Sequence, residues 1–373
     1  MLFWLVYSLI ALLCIVLTAL PLLGYCDCGE WVKWSVYIFL FTAWFSPVLI
    51  WNWQTNNKIS LKMYTLIAKI GYFLEGFAFL LMMTLLIRDI FWWSVYYLSN
   101  GVLLVSPLKD NIVAEANIIT VIAVFIVSLY GIYAAEKKPE ILRYCFTDKR
   151  IKRSLRILIA SDLHITKITK VSKVRELVKY FNGLNADAVL LPGDIADDIV
   201  ENIKKQIAEL KKIKAPLGIY YTIGNHETYF NPYVWEAEFA NLGWQVLHNS
   251  GISIENSGVY VAGVPDNRAF NVNIAQSIRN SDNEFIILLS HIPGVAKQIQ
   301  DNQVDLVISG HTHGGQIFPF NLLTKIGNDG MVSGFYQKKH TKILISRGVG
   351  YWGPPMRIGA PSDIILLELK PYS

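Results

Sequence analysis

Residues 306–315 read LVISGHTHGG: a short apolar run, Leu306 to Ile308, stops at Gly310 and opens into two histidines and two glycines. The run suits a buried strand, and the cluster after it suits a loop loaded with metal ligands. The same arrangement recurs upstream. Arg156 to Ala160 leads into SDLH (161–164), Ala188 to Leu191 into GDIAD (193–197), Ile219 to Thr222 into GNHE (224–227), and Phe285 to Leu289 into SHIP (290–293). Ile343 to Ile345 reads as a further strand, and Val171 to Phe181 and Glu201 to Ile213 read as helices. Strands alternating with helices predict an α/β sandwich of packed layers, with its site along one edge of the sheet.

The residue types at those strand ends predict the chemistry. Asp162, His164, Asp194, Asn225, His291, His311 and His313 offer carboxylate, amide and imidazole donors with no thiolate, a set suited to Mn, Fe or Zn. Seven side chains suit two ions better than one. Ions roughly 3.5–4 Å apart can share one carboxylate and activate a water for in-line attack on phosphorus. Five of the seven histidines in the chain fall in these clusters, His226 being the fifth; His248 and His340 stand alone and read as ordinary histidines. Gly193, Gly224 and Gly310 directly precede ligands, where the strand must turn sharply. Gly314 and Gly315 leave room for backbone to approach metals or phosphate. Asp197 reads as a cap on the following helix.

The series D-x-H at Asp162 and His164, GD-x-x-D at Gly193 to Asp197, GNHE at Gly224 to Glu227, His291, and GHTH at Gly310 to His313 resembles the calcineurin-like metallophosphoesterase superfamily. The longer strings GHTHGGQIFP and SRGVGYWGPPMRIGAPSDI resemble its YkuE and YaeI-like branch, which includes transmembrane members. The match covers about residues 155 to 370. It implies a four-layer αββα sandwich and a hydrolase of phosphate esters with two divalent ions, Mn first and Fe or Zn as alternatives. It further implies one ion held by Asp162, His164, Asp194 and His313, and a second by Asp194, Asn225, His291 and His311, with Asp194 as the bridge. His226 resembles the family's non-ligand histidine that stabilises the transition state or protonates the leaving oxygen.

Composition separates the rest of the chain. Of the 373 residues 53% are hydrophobic, above the roughly 45–50% of soluble domains, and charge is sparse before about position 135. Leu2 to Gly24 carries none and is long enough to cross a ~30 Å hydrocarbon layer. A cleaved signal peptide would need a basic residue before the run and a small-x-small cleavage site, and both are missing. Trp34 to Trp51, flanked by Trp31 and Trp53, is a second span with aromatic belts. Met63 to Ile87 is a third, interrupted by Lys69 and Glu75, with Glu75 reading as paired with Lys69 or set near a polar helix contact; Ala116 to Ala135 is a fourth. Ile90 to Pro107, uncharged and broken by Ser99, Asn100 and Gly101, reads as lying along the interface. The domains expected are 1–136 transmembrane, 137–154 a basic juxtamembrane linker, and 155–373 catalytic. With four spans, the basic residues Lys58, Lys62, Lys137, Lys138, Arg143, Lys149, Arg150, Lys152 and Arg153 share one side, against Lys33, Arg88 and Lys109. That bias places the catalytic domain in the cytoplasm, on a bacterial inner membrane.

Several spans are excessive for hydrolysing a freely soluble metabolite, so the expected substrate is a lipid or lipid-linked phosphate. A UDP-diacylglucosamine-type pyrophosphatase is one concrete form; a phosphodiesterase or nuclease acting on soluble substrates is the alternative. The net charge of +5 gathers beside the membrane, where anionic lipid headgroups are a simpler partner than nucleic acid. A non-enzymatic scaffold conflicts with the complete ligand set. Arg347 and Arg357 are candidate phosphate or headgroup ligands. Tyr229, with Phe230, Tyr233, Trp235, Phe239 and Trp244 after the GNHE loop, suits either a wall for acyl chains or ordinary core packing.

Overall fold

The computed structural model describes residues 2–24, 28–55, 59–101, 110–281 and 283–372. Lys58, Lys109 and Cys26 lie outside them. The chain forms two compact units, Met1–Ala134 with Gly353–Met356, and Ala135–Trp352 with Arg357–Ser373.

In the first unit, α1 (Leu2–Leu23), α2 (Glu30–Gln54), α3 (Leu61–Leu98) and α4 (Asp110–Glu136) are each long and apolar enough to cross a membrane. Small residues at the crossings let the backbones approach: Ala11, Ala43 and Ala78 sit in the cluster with Leu40, Trp44 and Met82. Several polar groups inside the bundle are paired. Tyr7 Oη donates to the Trp44 carbonyl at 2.7 Å, and Arg88 donates to Asn117 Oδ1 at 2.7 Å. Asn117 Nδ2 in turn serves the Pro21 carbonyl, left open in the last turn of α1. Two expectations need correction here. Ile90 to Leu98 is not a separate segment but continues α3, whose 38 residues make a rod of about 57 Å. Ser99, Asn100 and Gly101 end that helix, the last two in left-handed backbone. Lys69 and Glu75, six residues apart on one helix, point to different faces, and Lys69 is exposed. Cys28 is disulfide-bonded, whereas Cys14 and Cys145 are free.

The second unit contains β1 (Glu140–Asp148), β2 (Leu155–Ile159), α5 (Val171–Asn182), β3 (Ala188–Leu191), α6 (Val200–Leu210), β4 (Ile219–Tyr221), α7 (Asn225–Tyr229), α8 (Pro232–Asn241), β5 (Gln245–Val246), β6 (Ser250–Ile254), β7 (Val259–Gly263), α9 (Ile274–Ser277), β8 (Phe285–Leu289), β9 (Leu306–Ser309), α10 (Phe320–Gly327), β10 (Gly334–Lys338), β11 (Thr341–Ile345) and β12 (Asp363–Pro371). They build two six-stranded sheets, ordered β1-β12-β2-β3-β4-β5 and β10-β11-β9-β8-β7-β6. Strands β2, β3, β4 and β5 run parallel in the first sheet and β11, β9, β8 and β7 in the second, while β12 lies antiparallel to β2. Ile157, Ile159 and Leu190 of one sheet meet Val261, Ile287, Ile308 and Leu344 of the other in a shared core. Each such side chain contributes about 1.5–3 kcal/mol on burial. Helices cover the outer faces because their apolar residues repeat at helical spacing: Val174, Val178 and Phe181 on α5, and Ile203, Ile207 and Leu210 on α6.

The expected basic linker is folded. Glu140 to Asp148 form β1, paired in parallel with β12 from Glu140–Asp363 to Asp148–Pro371. Arg150 is likewise committed, its guanidinium bridging Asp148 and Asp305 at 2.8 and 2.6 Å. Arg150 thus stitches the end of β1 to the core.

Candidate metal centre

All five motif loops leave the C-terminal ends of parallel strands and are hydrogen-bonded to one another. Asp162 N–H donates to the Gly193 carbonyl, His164 N–H to that of Asp194, and Gly310 N–H to that of His291, each at 3.1 Å. The loops cross so closely that Gly224 has no room for a side chain: a Cβ there would collide with the Asp194 backbone and carboxylate. A Cβ at Gly315 would strike Asn321 of α10, so this glycine makes room for protein rather than for phosphate. Asp162, His164, Asp194, His311 and His313 all have positive φ, between 46° and 70°. Left-handed backbone is unfavourable for such residues and persists where surrounding structure over-determines it.

The side chains converge. His164 Nε2 and His313 Nε2 are 2.9 Å apart, and His313 Nε2 is 3.3 Å from Asp162 Oδ1. On the other side of the site, His291 Nε2 lies 3.0 Å from Asp194 Oδ2 and 3.1 Å from Asn225 Oδ1. His291 Nδ1 donates to the Pro192 carbonyl at 2.8 Å, which directs Nε2 into the site. Three sets of donor atoms are close enough to share a cation: Asp162, His164 and His313; Asp194, His291 and His311; and His164, Asp194 and His226. Two facing imidazole nitrogens and paired buried carboxylates are a poor arrangement without a cation between them. This donor set fits divalent ions.

Electrostatics agree. Burial alone would lift both carboxyls, but the histidines beside them outweigh it and hold Asp162 and Asp194 below the ordinary range. Burial disfavours charge on His291 and His226, yet Asp194 raises His291 to about 10, and Asp197 with Asp194 raises His226 to about 10. Burial pushes His311 and His313 down to about 3 and 4. The metal-free protein at neutral pH therefore carries a proton on His291 that a cation must expel. Loading is expected to release about one proton per ion held by His291, with affinity rising up to tenfold per pH unit below pH 10. Calorimetry in buffers of different ionisation enthalpy measures this, and uptake without proton release at pH 7 would contradict it.

His226 sits at the rim. Its Nδ1 is 2.8 Å from Asp197 Oδ1, its backbone N–H donates to Asp194 Oδ1 at 2.8 Å, and its Nε2 lies 3.9 Å from Asp194 Oδ2. Asp197 is therefore not the helix cap expected. The N-cap position of α6 is Ile199, which has no capping side chain; Asp198 accepts from Ile199 N–H and Asn202 Nδ2, while Asp197 turns inward between His226 and His164. The two lone histidines pair elsewhere, His248 with Glu236 and His340 with Asp301.

Both arginines singled out as phosphate ligands have other work. Arg357 is 1% exposed and gives its donors to the carbonyls of Gly350, Ala360, Arg347 and Gly348. It braces the loops behind His313. Arg347 is paired with Asp363 and Glu140, each at 2.8 Å. Of the aromatics, Phe230, Trp235, Phe239 and Trp244 are core, and only Tyr229 and Tyr233 are exposed. Tyr229 does reach the site: its ring centroid is 5.2 Å from that of His226.

Two residues escaped sequence reasoning. Glu227 is wholly buried and its carboxylate accepts from the N–H groups of Asp194, Ile195, Ala196 and Gly224, tying two ligand loops together. Its position three residues after Gly224, the capping-box spacing, was the available signal. Arg268 is exposed, donates to Tyr229 Oη at 3.2 Å, and its charge helps depress His311. No motif marked it.

The family described as calcineurin-like phosphoesterase matches residues 155–315, the stretch that supplies all seven donors. An uncharacterized metallophosphoesterase of Bacillus subtilis, YkuE, is 30% identical over 259 residues, covering 65% of this chain and 90% of YkuE. The chain belongs to the calcineurin-like phosphoesterase family. An uncharacterized metallophosphoesterase of Helicobacter pylori is 33% identical over 247 residues, 65% of this chain and 66% of that one. A zebrafish transmembrane protein with metallophosphoesterase domain is 29% identical over 272 residues, 68% of this chain and 62% of its own. The chain thus matches slightly under two thirds of the length of these last two relatives. Family membership accounts for the divalent-metal donors.

Proposed function

We propose that this protein is a membrane-bound binuclear-metal phosphoesterase acting on a lipid or lipid-linked phosphoester or pyrophosphate. The observation that carries the catalytic part is the convergence of Asp162, His164 and His313 on one side of Asp194, and of Asn225, His291 and His311 on the other. In this reading the first group with Asp194 holds one ion, the second group with Asp194 holds the other, and Mn is the first metal to test. Bound there, the ions would supply Lewis-acid stabilisation of phosphoryl oxygens and a more acidic water. The chain's own residues do the rest. Asp197 holds His226 Nδ1 and, with Asp194, keeps a proton on the ring, so Nε2 can donate to the leaving oxygen. Glu227 fixes the Asp194 and Asn225 loops. Arg268 replaces Arg347 and Arg357 as the cation offered to substrate phosphate.

The lipid part is supported by four membrane-length helices on the same chain. The basic flank of those helices supports a cytoplasmic catalytic unit in a bacterial inner membrane. The test is purified full-length protein loaded with Mn and given native lipid extracts alongside soluble phosphoesters, with mass spectrometry following which species disappear. Loss of an amphiphile and abolition by a chelator are expected. Full turnover after exhaustive metal removal would refute the metal assignment, and strong preference for soluble nucleotides would refute the lipid one.

A further inference from the structure

Helix α10 is inside out. Two of its polar residues face the protein: Thr324 is 9% exposed with its hydroxyl on the Phe320 carbonyl, and Asn321 lies against Gly315 of the GHTHGG loop. Its apolar residues face outward, with Leu322 55%, Leu323 57% and Ile326 79% exposed, and Phe318 and Phe320 prolong the ridge. A helix in water buries its apolar stripe. A contiguous exposed one marks a surface made for an apolar neighbour.

The ridge leads to the reaction site. Gln316, two residues before Phe318, holds Trp352 by both side-chain atoms, donating to its carbonyl at 2.9 Å and accepting from its N–H at 3.2 Å. The exposed Trp352 ring has its centroid 6.5 Å from that of His226. From Gln316 to Asn328 the only charged residue is Lys325, exposed on α10. An apolar face with a lone cation is the composition of a helix lying in an anionic lipid interface.

We propose that α10 is an interfacial helix that sets Leu322, Leu323 and Ile326 into the bilayer surface and passes an amphiphilic phosphoester along Phe318 and Trp352 to His226. The occupant is lipid rather than a protein partner because the chain itself carries four membrane-length helices. A bilayer is therefore a permanent neighbour, whereas a second copy must be recruited. The delivery step rests on the lipid-substrate reading above; the docking step does not.

The test uses full-length protein in phosphatidylethanolamine vesicles containing phosphatidylglycerol. The environment-sensitive dye NBD is attached at Leu323→Cys or Ile326→Cys in a Cys14→Ala, Cys145→Ser background, with Lys205→Cys on α6 as the water-facing control. Labels on α10 should emit to the blue and be quenched by lipids carrying a nitroxide near the headgroup, and the control should not. Separately, Leu322→Asp with Ile326→Asp should lower kcat/KM about tenfold or more for a long-chain phosphoester in vesicles, because remote binding energy is lost. The same variant should leave bis-p-nitrophenyl phosphate turnover unchanged. Water-like emission at both α10 positions overturns the proposal even if lipids are hydrolysed. So does a blue shift that persists without lipid and grows with protein concentration, since a second copy would then be the occupant. Lipid-quenched labels with no amphiphile hydrolysed uphold docking and refute the lipid-substrate reading instead.

Discussion

Asp194→Ala is expected to empty the site and reduce turnover to the metal-free rate, a loss of at least about 10³-fold, since groups that act as a unit fail as a unit. The carboxylate belongs to two of the three donor sets, with Oδ2 3.0 Å from His291 Nε2 and 3.8 Å from His164 Nε2. Without it, the positive charge on His291 loses its nearest buried partner, a change that typically destabilises by 3–5 kcal/mol. Asp194→Asn separates chemistry from folding. Residue 194 has φ of 54°, which asparagine tolerates and alanine does not, and an amide oxygen can still accept the His226 N–H. The Asn variant should fold, bind less metal and turn over slowly. Metal content by mass spectrometry and turnover of an artificial diester check both; two ions per chain with turnover near wild type would refute Asp194 as the bridge.

His226→Ala should give a different result: both ions retained, and turnover 10²–10⁴-fold slower, the usual contribution of a general acid or base. Its Nδ1 is taken by Asp197 at 2.8 Å, so only Nε2 faces the site, and the ring lies at the rim. Asp197→Asn should be milder, about 10–100-fold, as for partners that act through another side chain. It also carries a signature in pH. Burial lowers the His226 pKa and the Asp197 charge raises it, with a net rise to about 10 in the metal-free protein. The acid form is present below that pKa and lost above it. Removing the Asp197 charge should therefore move the alkaline limb of the rate profile to lower pH, and a limb that stays in place would detach Asp197 from the acid. Loss of metal on His226→Ala would make it a ligand.

The strand-end ligands could be read from sequence because the relation is local. A parallel strand buried on both faces must be an uninterrupted apolar run, and its polar loop begins where the run stops, as at Leu306 to His313 or Ala188 to Asp194. The helices α5 and α6 and the four membrane-length helices announced themselves for the same reason, through period and length. What could not be read depended on partners distant in sequence. Residues 140–148 look like a charged linker until Asp363 to Pro371 lies beside them as β12. Arg357 looks like a phosphate fork until the carbonyls of Gly348, Gly350 and Ala360 surround it. Asp197 looks like the cap of α6 until His226 and His164 lie on either side of its carboxylate. Helix α10 is the limiting case, because FNLLTKIG has a strong apolar stripe whichever way it turns. Whether that stripe faces core or surroundings is decided by Gly315, whose missing side chain admits Asn321 and so rotates the leucines outward.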